Sequence, residues 1–241
     1  MKIDIVPVFG DIKKEQLEDT MVVVFDVLRA TSTIVTAIAN GCMEIVPAVA
    51  AEEALAYARN HEKLILGGER ESLLIPGFHL GNSPLEYTSG RVKGKTVVLT
   101  TTNGTQAIRR AAQGSAKVII GALLNAKAVA RKAAGTGKDI ILICAGTRGY
   151  FSLEDTVAAG MVCLELAEGK ENLLFGSDLA VTACRLAEFY RKDPLRALSD
   201  SLHGQKLAAK GFSEDLAFCA RLNYIDIAPV YRDGGITRDC H

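Results

Sequence analysis

The sequence predicts an α/β fold: three layers, α/β/α, around a mostly parallel or mixed sheet. Three observations carry this. Short β-branched runs alternate with longer helical patterns, several of those runs are continuously apolar, and one strand–loop–helix–strand segment occurs twice. Strands covered on both faces read as unbroken apolar runs rather than alternating ones. The expected strands are Ile3–Val8, Met21–Phe25, Glu44–Val46, Leu64–Leu66, Thr96–Leu99, Val118–Ile120, Asp139–Ile143 and Ile225–Ala228. Helical spacing of apolar residues marks Thr33–Asn40, Ala51–Arg59, Gln106–Gln113, Ala126–Ala134 and Thr156–Ala167. Alternation of this kind builds parallel pairs, because a parallel strand must be reached by a crossover.

The repeat consists of VVVFDVLRATSTIVTAIANGCMEIVPA from Val22 and TVVLTTTNGTQAIRRAAQGSAKVIIGA from Thr96. Gly41 corresponds to Gly114 and Ile45-Val46 to Val118-Ile119, an offset of 73 residues in both cases. Repetition of a supersecondary unit suggests a duplicated core, with halves of roughly 1–90 and 91–241 inside a single α/β domain spanning 1–241. From about Ser177 the pattern is mostly helical, through SDLAVTACRLAEFYRKD, PLRALSDS, HGQKLAAKG and SEDLAFCARLN. No Pro/Gly/Ser-rich linker precedes it, so it reads as a helical layer on the same core. The end, IDIAPVYRDGGITRDCH, could add a strand.

Hydrophobic residues make up 49% of 241, enough for a substantial core. Lys+Arg and Asp+Glu both number 28. Zero net charge argues against broad nucleic-acid or membrane-surface binding, which needs a field of one sign. Any anion site must therefore be built locally. The start, MKIDIVPVFGDIKKEQ, lacks the charged and apolar regions of a signal peptide, and there is no apolar run of about 18 residues, so a cytoplasmic protein is expected. The six cysteines (Cys42, Cys144, Cys163, Cys184, Cys219, Cys240) form no C-x-x-C pair and read as reduced thiols, mostly small core residues.

Ligands of open α/β sheets bind beyond the carboxyl ends of strands, so the loops there hold the candidate chemistry. Asp26 to Thr33 follows the second strand: Asp26 can hold a hard cation, Arg29 offers a fork for an oxyanion, and Thr31, Ser32 and Thr33 can cap the next helix. A capped helix beside a local Asp26–Arg29 ion pair is the plainer alternative. Position 28 is Leu, so the two-aspartate motif of haloacid-dehalogenase-type phosphatases is absent. Thr100 to Thr105 gathers four threonines with Asn103 and Gly104 at a helix start, more polarity than one cap requires, and could cradle a phosphate or sulfonate. Glu69 and Arg70 leave another strand end, followed by ESLLIPGFHLGNSPLEY, a lid or an ordinary surface excursion, in which Asn82 and Ser83 precede Pro84. Gly146 and Thr147 can approach an anion closely. Cys144 reads as a small liner, since Arg148 follows only four positions on and a cysteine-phosphatase loop needs five intervening residues. Glu154 and Asp155 open a helix and either serve its dipole or complete a metal site. His203 is the one histidine in a polar setting, a proton donor, a site liner or merely solvated. No Walker A loop or G-x-G-x-x-G is present, which lowers a nucleotide-dependent enzyme.

DVLRATST at 26–33, GER at 68–70, GNSP at 81–84, TTNGT at 101–105, CAGT at 144–147 and EDTVAAG at 154–160, with HGQKLAAKGFSEDLAFCA near the end, together resemble the 2-phosphosulfolactate phosphatase family along nearly the whole chain. The resemblance implies Mg²⁺-dependent hydrolysis of 2-phosphosulfolactate to sulfolactate and phosphate, a coenzyme M biosynthesis step where that cofactor is made. By residue type and loop position, Asp26, Glu69 and Asp155, with Glu154 in reserve, would hold the metal, and Asp26, Arg29 and Glu69 would be catalytic. Arg29, Ser32, Thr33, Arg70, Asn82, Ser83, Thr101, Thr102, Asn103, Gly104, Thr105, Gly146 and Thr147 would meet a small, highly anionic phosphoester. Either water attacks directly, which the missing second aspartate favours, or Asp26 attacks as a nucleophile. The competing class is a non-catalytic sensor of anionic metabolites, which has no need of several strand-end carboxylates. A homodimer is a further expectation.

Overall fold

The computed structural model describes residues 1–61, 64–115, 117–168 and 173–238. Its strands are β1 (Lys2–Val6), β2 (Met21–Phe25), β3 (Glu44–Ala48), β4 (Leu64–Arg70), β5 (Leu73–Leu74), β6 (Thr96–Thr100), β7 (Val118–Gly121), β8 (Ile140–Cys144), β9 (Leu174–Phe175), β10 (Val230–Arg232) and β11 (Gly235–Thr237). The helices are α1 (Ala30–Ala39), α2 (Ala51–Arg59), α3 (Ser89–Val92), α4 (Gly104–Ala111), α5 (Ala126–Ala134), α6 (Leu153–Ala167), α7 (Asp178–Tyr190), α8 (Pro194–Asp200), α9 (Leu202–Ala209) and α10 (Ser213–Cys219). Among the described residues no helix is long and apolar enough to cross a membrane.

The strands form one mixed sheet in the order β5-β4-β6-β3-β11-β10-β7-β2-β8-β1-β9. It holds two parallel blocks. In one, β2 lies between β7 and β8, with Phe25 beside Gly121 and Cys144, and β1 and β9 follow outward. In the other, β6 lies between β3 and β4. The C-terminal hairpin β10–β11 joins them through antiparallel pairings to β7 and β3. The first repeated segment supplies β2, α1 and β3, and the second supplies β6, α4 and β7. Pairing is crossed: β2 with β7, and β6 with β3.

Side-chain alternation along β2 makes the layers. Val23 and Phe25 join a core with α5, α6, α7 and the C-terminal helices, whereas Val22 and Val24 join a second core with α1 and α4. That second core also takes Ile45, Val97 and Leu99 from the other block, so α1 and α4 pack against both blocks. Val98 turns the opposite way, with Leu66 and Phe78, against Ala54 of α2.

Several expected boundaries shift for identifiable reasons. The first strand stops at Val6, before Pro7, which has no N–H to give a ladder. The Gly67–Arg70 stretch continues β4 rather than leaving it. Its glycines permit that: a Cβ on Gly67 would lie 2.2 Å from the Tyr87 hydroxyl, and one on Gly68 2.1 Å from the Thr100 carbonyl oxygen. Ile225–Ala228 is not a strand. The Ile225 N–H and the Ile227 carbonyl are bonded to Leu124 and Asn125, and cross-strand bonding starts only at the Pro229 carbonyl, which accepts the Ile120 N–H. The 71–87 stretch is not a surface excursion, because Phe78, Leu80 and Tyr87 are buried in the cores. Cys240 and His241 lie outside the described residues, and the other five cysteines are buried free thiols.

Helix α6, which brings Glu154 and Asp155 to the strand ends, is seated on α7 through Gly160. A Cβ there would lie 2.0 Å from the Ala183 carbonyl oxygen. Gly160→Ala should therefore destabilise the chain by about 1–3 kcal/mol. Urea denaturation reads this directly, and an unchanged midpoint would mean that α6 and α7 separate at no cost.

Candidate active site

A cleft of about 590 Å³ opens where the carboxyl ends of β2, β4, β6 and β8 meet α9. Asp26, Leu28 and Arg29 line it after β2, Glu69 and Arg70 at the end of β4, Glu71 and Ser72 in the β4–β5 turn, Thr102 and Asn103 after β6, and Thr147 and Arg148 after β8. Asn82 completes the floor, and His203, Lys206, Ala209 and Lys210 close the side formed by α9.

Asp26 sits where two helices start. Its Oδ1 accepts the Ala30 N–H at 3.3 Å, and the carboxylate also accepts the Gly104 N–H. Gly104 is required by that approach, since a Cβ would come 2.5 Å from Ala30 Cβ and 2.7 Å from Asp26 Oδ2. Two helix N-termini favour the anion, but burial outweighs them and, with the charges of Glu69 and Glu154, pushes the Asp26 carboxyl up to about 7.

The other acids differ in what they hold. Glu69 Oε1 accepts the Thr102 N–H and hydroxyl, both at 2.9 Å, and Oε2 accepts the Ser72 N–H at 2.7 Å. Asp155 lies behind the cleft wall: Oδ1 accepts Val27 N–H at 2.8 Å and Oδ2 accepts Gly146 N–H at 3.2 Å, tying the loops after β2 and β8 together. Burial, then Glu154 and Asp26, raise the Asp155 carboxyl well above its ordinary range. Glu154 is 3% exposed, and no hydrogen bond engages its carboxylate among the described residues.

Arg29 is 3% exposed. Its guanidinium donates to Asp215 Oδ2 at 2.6 Å and to the Ser72 carbonyl at 2.9 Å, and lies 4.1 Å over the Phe212 ring. Asp215 Oδ1 in turn accepts the Ser83 hydroxyl at 2.6 Å. Arg70 donates to the Glu69 and Val49 carbonyls and to Thr100 Oγ1. Asn82 is 4% exposed, and its Oδ1 is fully enclosed with no hydrogen-bond partner among the described residues. An enclosed acceptor left without a donor costs free energy.

The expected binding residues thus separate. Asp26, Arg29, Glu69, Arg70, Asn82, Thr102, Asn103 and Thr147 line one cleft. Thr31, Ser32 and Thr33 are buried inside α1 rather than capping it: Ser32 Oγ donates to the Val27 carbonyl and Thr33 Oγ1 to the Asn82 carbonyl. Thr101 and Thr105 hydrogen-bond each other. Ser83 faces Asp215. Gly146, at φ +72°, gives its N–H to Asp155. Cys144 is fully buried with its thiol pushed well above the ordinary value by burial, which suits a liner and not a nucleophile. The sequence reading passed over Arg148, Lys206, Lys210 and Asp215. The spacing His203, Lys206, Lys210 (i, i+3, i+7) on one helix face was the available signal.

The donor set suits a hard divalent cation in type: buried carboxylates in excess of buried cations, since Arg29 is committed to Asp215. Among the described residues no three His, Cys, Asp or Glu side chains converge as a complete metal centre. A small cation that takes one or two carboxylates and fills its other positions with water and phosphate oxygens does not need three.

A family described as 2-phosphosulpholactate phosphatase matches residues 8–234. A protein named "Probable 2-phosphosulfolactate phosphatase" from Symbiobacterium thermophilum is 48% identical over 224 residues, 92% of this chain and 95% of that protein. Proteins of the same name from Clostridium tetani and Clostridium beijerinckii are 43% and 38% identical, over 97% and 98% of this chain and 99% of each.

The raised Asp26 carboxyl has a consequence for stability. Folded, the group binds its proton more tightly than unfolded, so ionisation costs stability as pH rises from 3.8 toward about 7. In chelator, the stability difference between Asp26→Asn and the unmodified chain should move in the variant's favour by on the order of 3 kcal/mol between pH 4 and pH 7. Urea denaturation at each pH measures it, and parallel profiles would remove Asp26 as the titrating group.

Proposed function

The chain belongs to the 2-phosphosulfolactate phosphatase family, and from that premise we propose that it hydrolyses 2-phosphosulfolactate to 3-sulfolactate and phosphate with Mg²⁺ as cofactor. The observation that carries the reading is one cleft holding buried carboxylates at strand ends on one side and Arg29, Arg70, Arg148, Lys206 and Lys210 around it. A substrate with phosphate, carboxylate and sulfonate on three carbons needs several separate positive groups, and a phosphoryl group bound to Mg²⁺ needs carboxylates beside it.

Asp26 and Glu69 would hold Mg²⁺, with Glu154 behind them, while Asp155 ties the loops. When bound, Mg²⁺ supplies positive charge to the phosphoryl oxygens. Arg70 and the N–H group at Asn103 orient the phosphate. Phosphoryl transfer proceeds through a loose transition state that asks mainly for positioning and charge. Water oxygen bonds to phosphorus as the ester P–O bond breaks. One water proton ends on the departing C2 oxygen, giving sulfolactate, and the other stays on phosphate. Direct attack is favoured over an aspartyl phosphate because the Asp26 carboxylate is already fixed by two helix-terminal N–H groups. Burial lowers the His203 imidazole below its ordinary value, so it lines the cleft uncharged at neutral pH. The five buried free thiols support a reducing, cytoplasmic setting.

Phosphate release from 2-phosphosulfolactate, with Mg²⁺ and with EDTA, tests the reading. Release should be chelator-sensitive, and Asp26→Asn should slow it about 10²–10³-fold. No release from this substrate would sink the assignment. Arg29→Ala should lose activity and also about 3–5 kcal/mol of stability, because Asp215 would be left buried and unpaired. Arg59→Ala on the exposed end of α2 should change neither.

A further inference from the structure

The cations of the cleft are not equivalent. Arg29 is committed to Asp215, the Ser72 carbonyl and Phe212. Arg70 is committed to two carbonyls and Thr100, and Lys210 Nζ donates to the Glu71 carbonyl. Arg148 and Lys206 have no hydrogen-bond or ion-pair partner among the described residues, although both line the cleft. Each is carried by a defined element. Arg148 sits at φ +54° and Gly149 at φ +79° in a two-residue turn closed by reciprocal bonds between Thr147 and Tyr150, at 2.9 and 3.0 Å. A non-glycine residue in the left-handed region is uncommon and is retained where a turn or a site needs it. Lys206 lies three residues from His203 on the face of α9 that borders the cleft.

The elements that line the cleft differ in the charges they bring to it. Its lining carboxylates, Asp26, Glu69 and Glu71, come from β2, β4 and the β4–β5 turn, whereas the β8 turn and α9 contribute cations and no lining carboxylate. A phosphoryl group accompanied by Mg²⁺ belongs on the acidic side. The second strong anion of the substrate then meets the cationic side. Resting on the proposed activity, we propose that Arg148 and Lys206 form the sulfonate subsite and set the preference for a sulfonated over an unsulfonated phospholactate. A sulfonate stays ionised at all working pH values and has three equivalent oxygens, which suits two cations arriving from different elements, one planar and one a point charge.

The test compares kcat/KM for 2-phosphosulfolactate and for 2-phospholactate, which has hydrogen in place of the sulfonate. It uses the unmodified chain, Arg148→Asn and Lys206→Ala. Asparagine accepts the left-handed turn and alanine the helix, so folding is retained. Each variant should lower the ratio of the two kcat/KM values roughly 10–100-fold, the worth of a hydrogen bond to a charged group, and Lys206→Arg should recover most of it. An unchanged ratio, whether both activities fall together or neither does, overturns the subsite. If the unmodified chain itself releases no phosphate from 2-phosphosulfolactate, the proposed activity fails first and the subsite fails with it.

Discussion

The buried Arg29–Asp215 pair is the interaction on which the cleft depends. Arg29 opens α1 and Asp215 lies in α10, 186 residues apart in sequence. The same guanidinium reaches the β4–β5 turn through Ser72, and the same carboxylate reaches the segment before Pro84 through Ser83. Four separate chain segments are therefore fixed to one another through a single ion pair. A buried pair of this kind contributes little net stability compared with apolar packing, yet removing one partner is costly. Its effect is on placement. With Phe212 stacked on the guanidinium, the C-terminal helices lie at one distance from the strand ends, and α9 becomes a wall of the cleft instead of a layer lying elsewhere on the core.

Once that wall is in place, the acids within it are left short of countercharge. Among the described residues the one buried arginine is used in the clamp, while Asp26, Glu69, Glu154 and Asp155 are all buried. The chain relieves part of the cost by turning carboxylates into loop fasteners: Asp155 joins two loops and Glu69 joins two more. Asp26 receives two helix-terminal N–H groups, yet burial, with the charges of Glu69 and Glu154, still pushes its carboxyl up to about 7. A site that costs stability until ligand arrives is the expected signature of function. It places that cost where cation and phosphate would relieve it.

The layer architecture was legible because it depends on local pattern: apolar runs at Val22–Phe25, Val118–Ile120 and Ile140–Ile143 are strands whatever their order. The carboxyl-end rule then found Asp26, Glu69, Thr102 and Thr147 without any knowledge of topology. Three things were not legible. Pairing order is set by side chains far apart in sequence, so the hairpin that links the two blocks was read as at most one strand. Hydroxyls at a helix start look alike whether they cap or brace, so Ser32 and Thr33 read as ligands although each bonds a carbonyl. Arg148, Lys206 and Asp215 sit in segments whose local pattern is satisfied by a turn or a helix surface. Only the tertiary arrangement brings the first two to the cleft and buries the third.

The repeated segments show how one local device yields unlike halves of a site. After β2, the Asp26 N–H donates to Thr31 Oγ1 as α1 begins; after β6, the Thr101 N–H donates to Thr105 Oγ1 as α4 begins. The same threonine brace closes both strand-to-helix turns, and crossed pairing of the strands sets the two turns against each other, with Gly104 against Ala30. What differs is the residue at the end of each strand. The first unit places a carboxylate there, the second a hydroxyl that folds back on its own brace. Two helix N-termini thus converge on one acid rather than two. A second acid at Thr101 would have doubled the buried repulsion beside Asp26, and a hydroxyl at position 26 would have left both N-termini without an anion. The acid in one unit and the hydroxyl in the other give a cleft with one carboxylate at its centre, and the cationic side of the cleft has to be supplied from outside the repeat, by the β8 turn and α9.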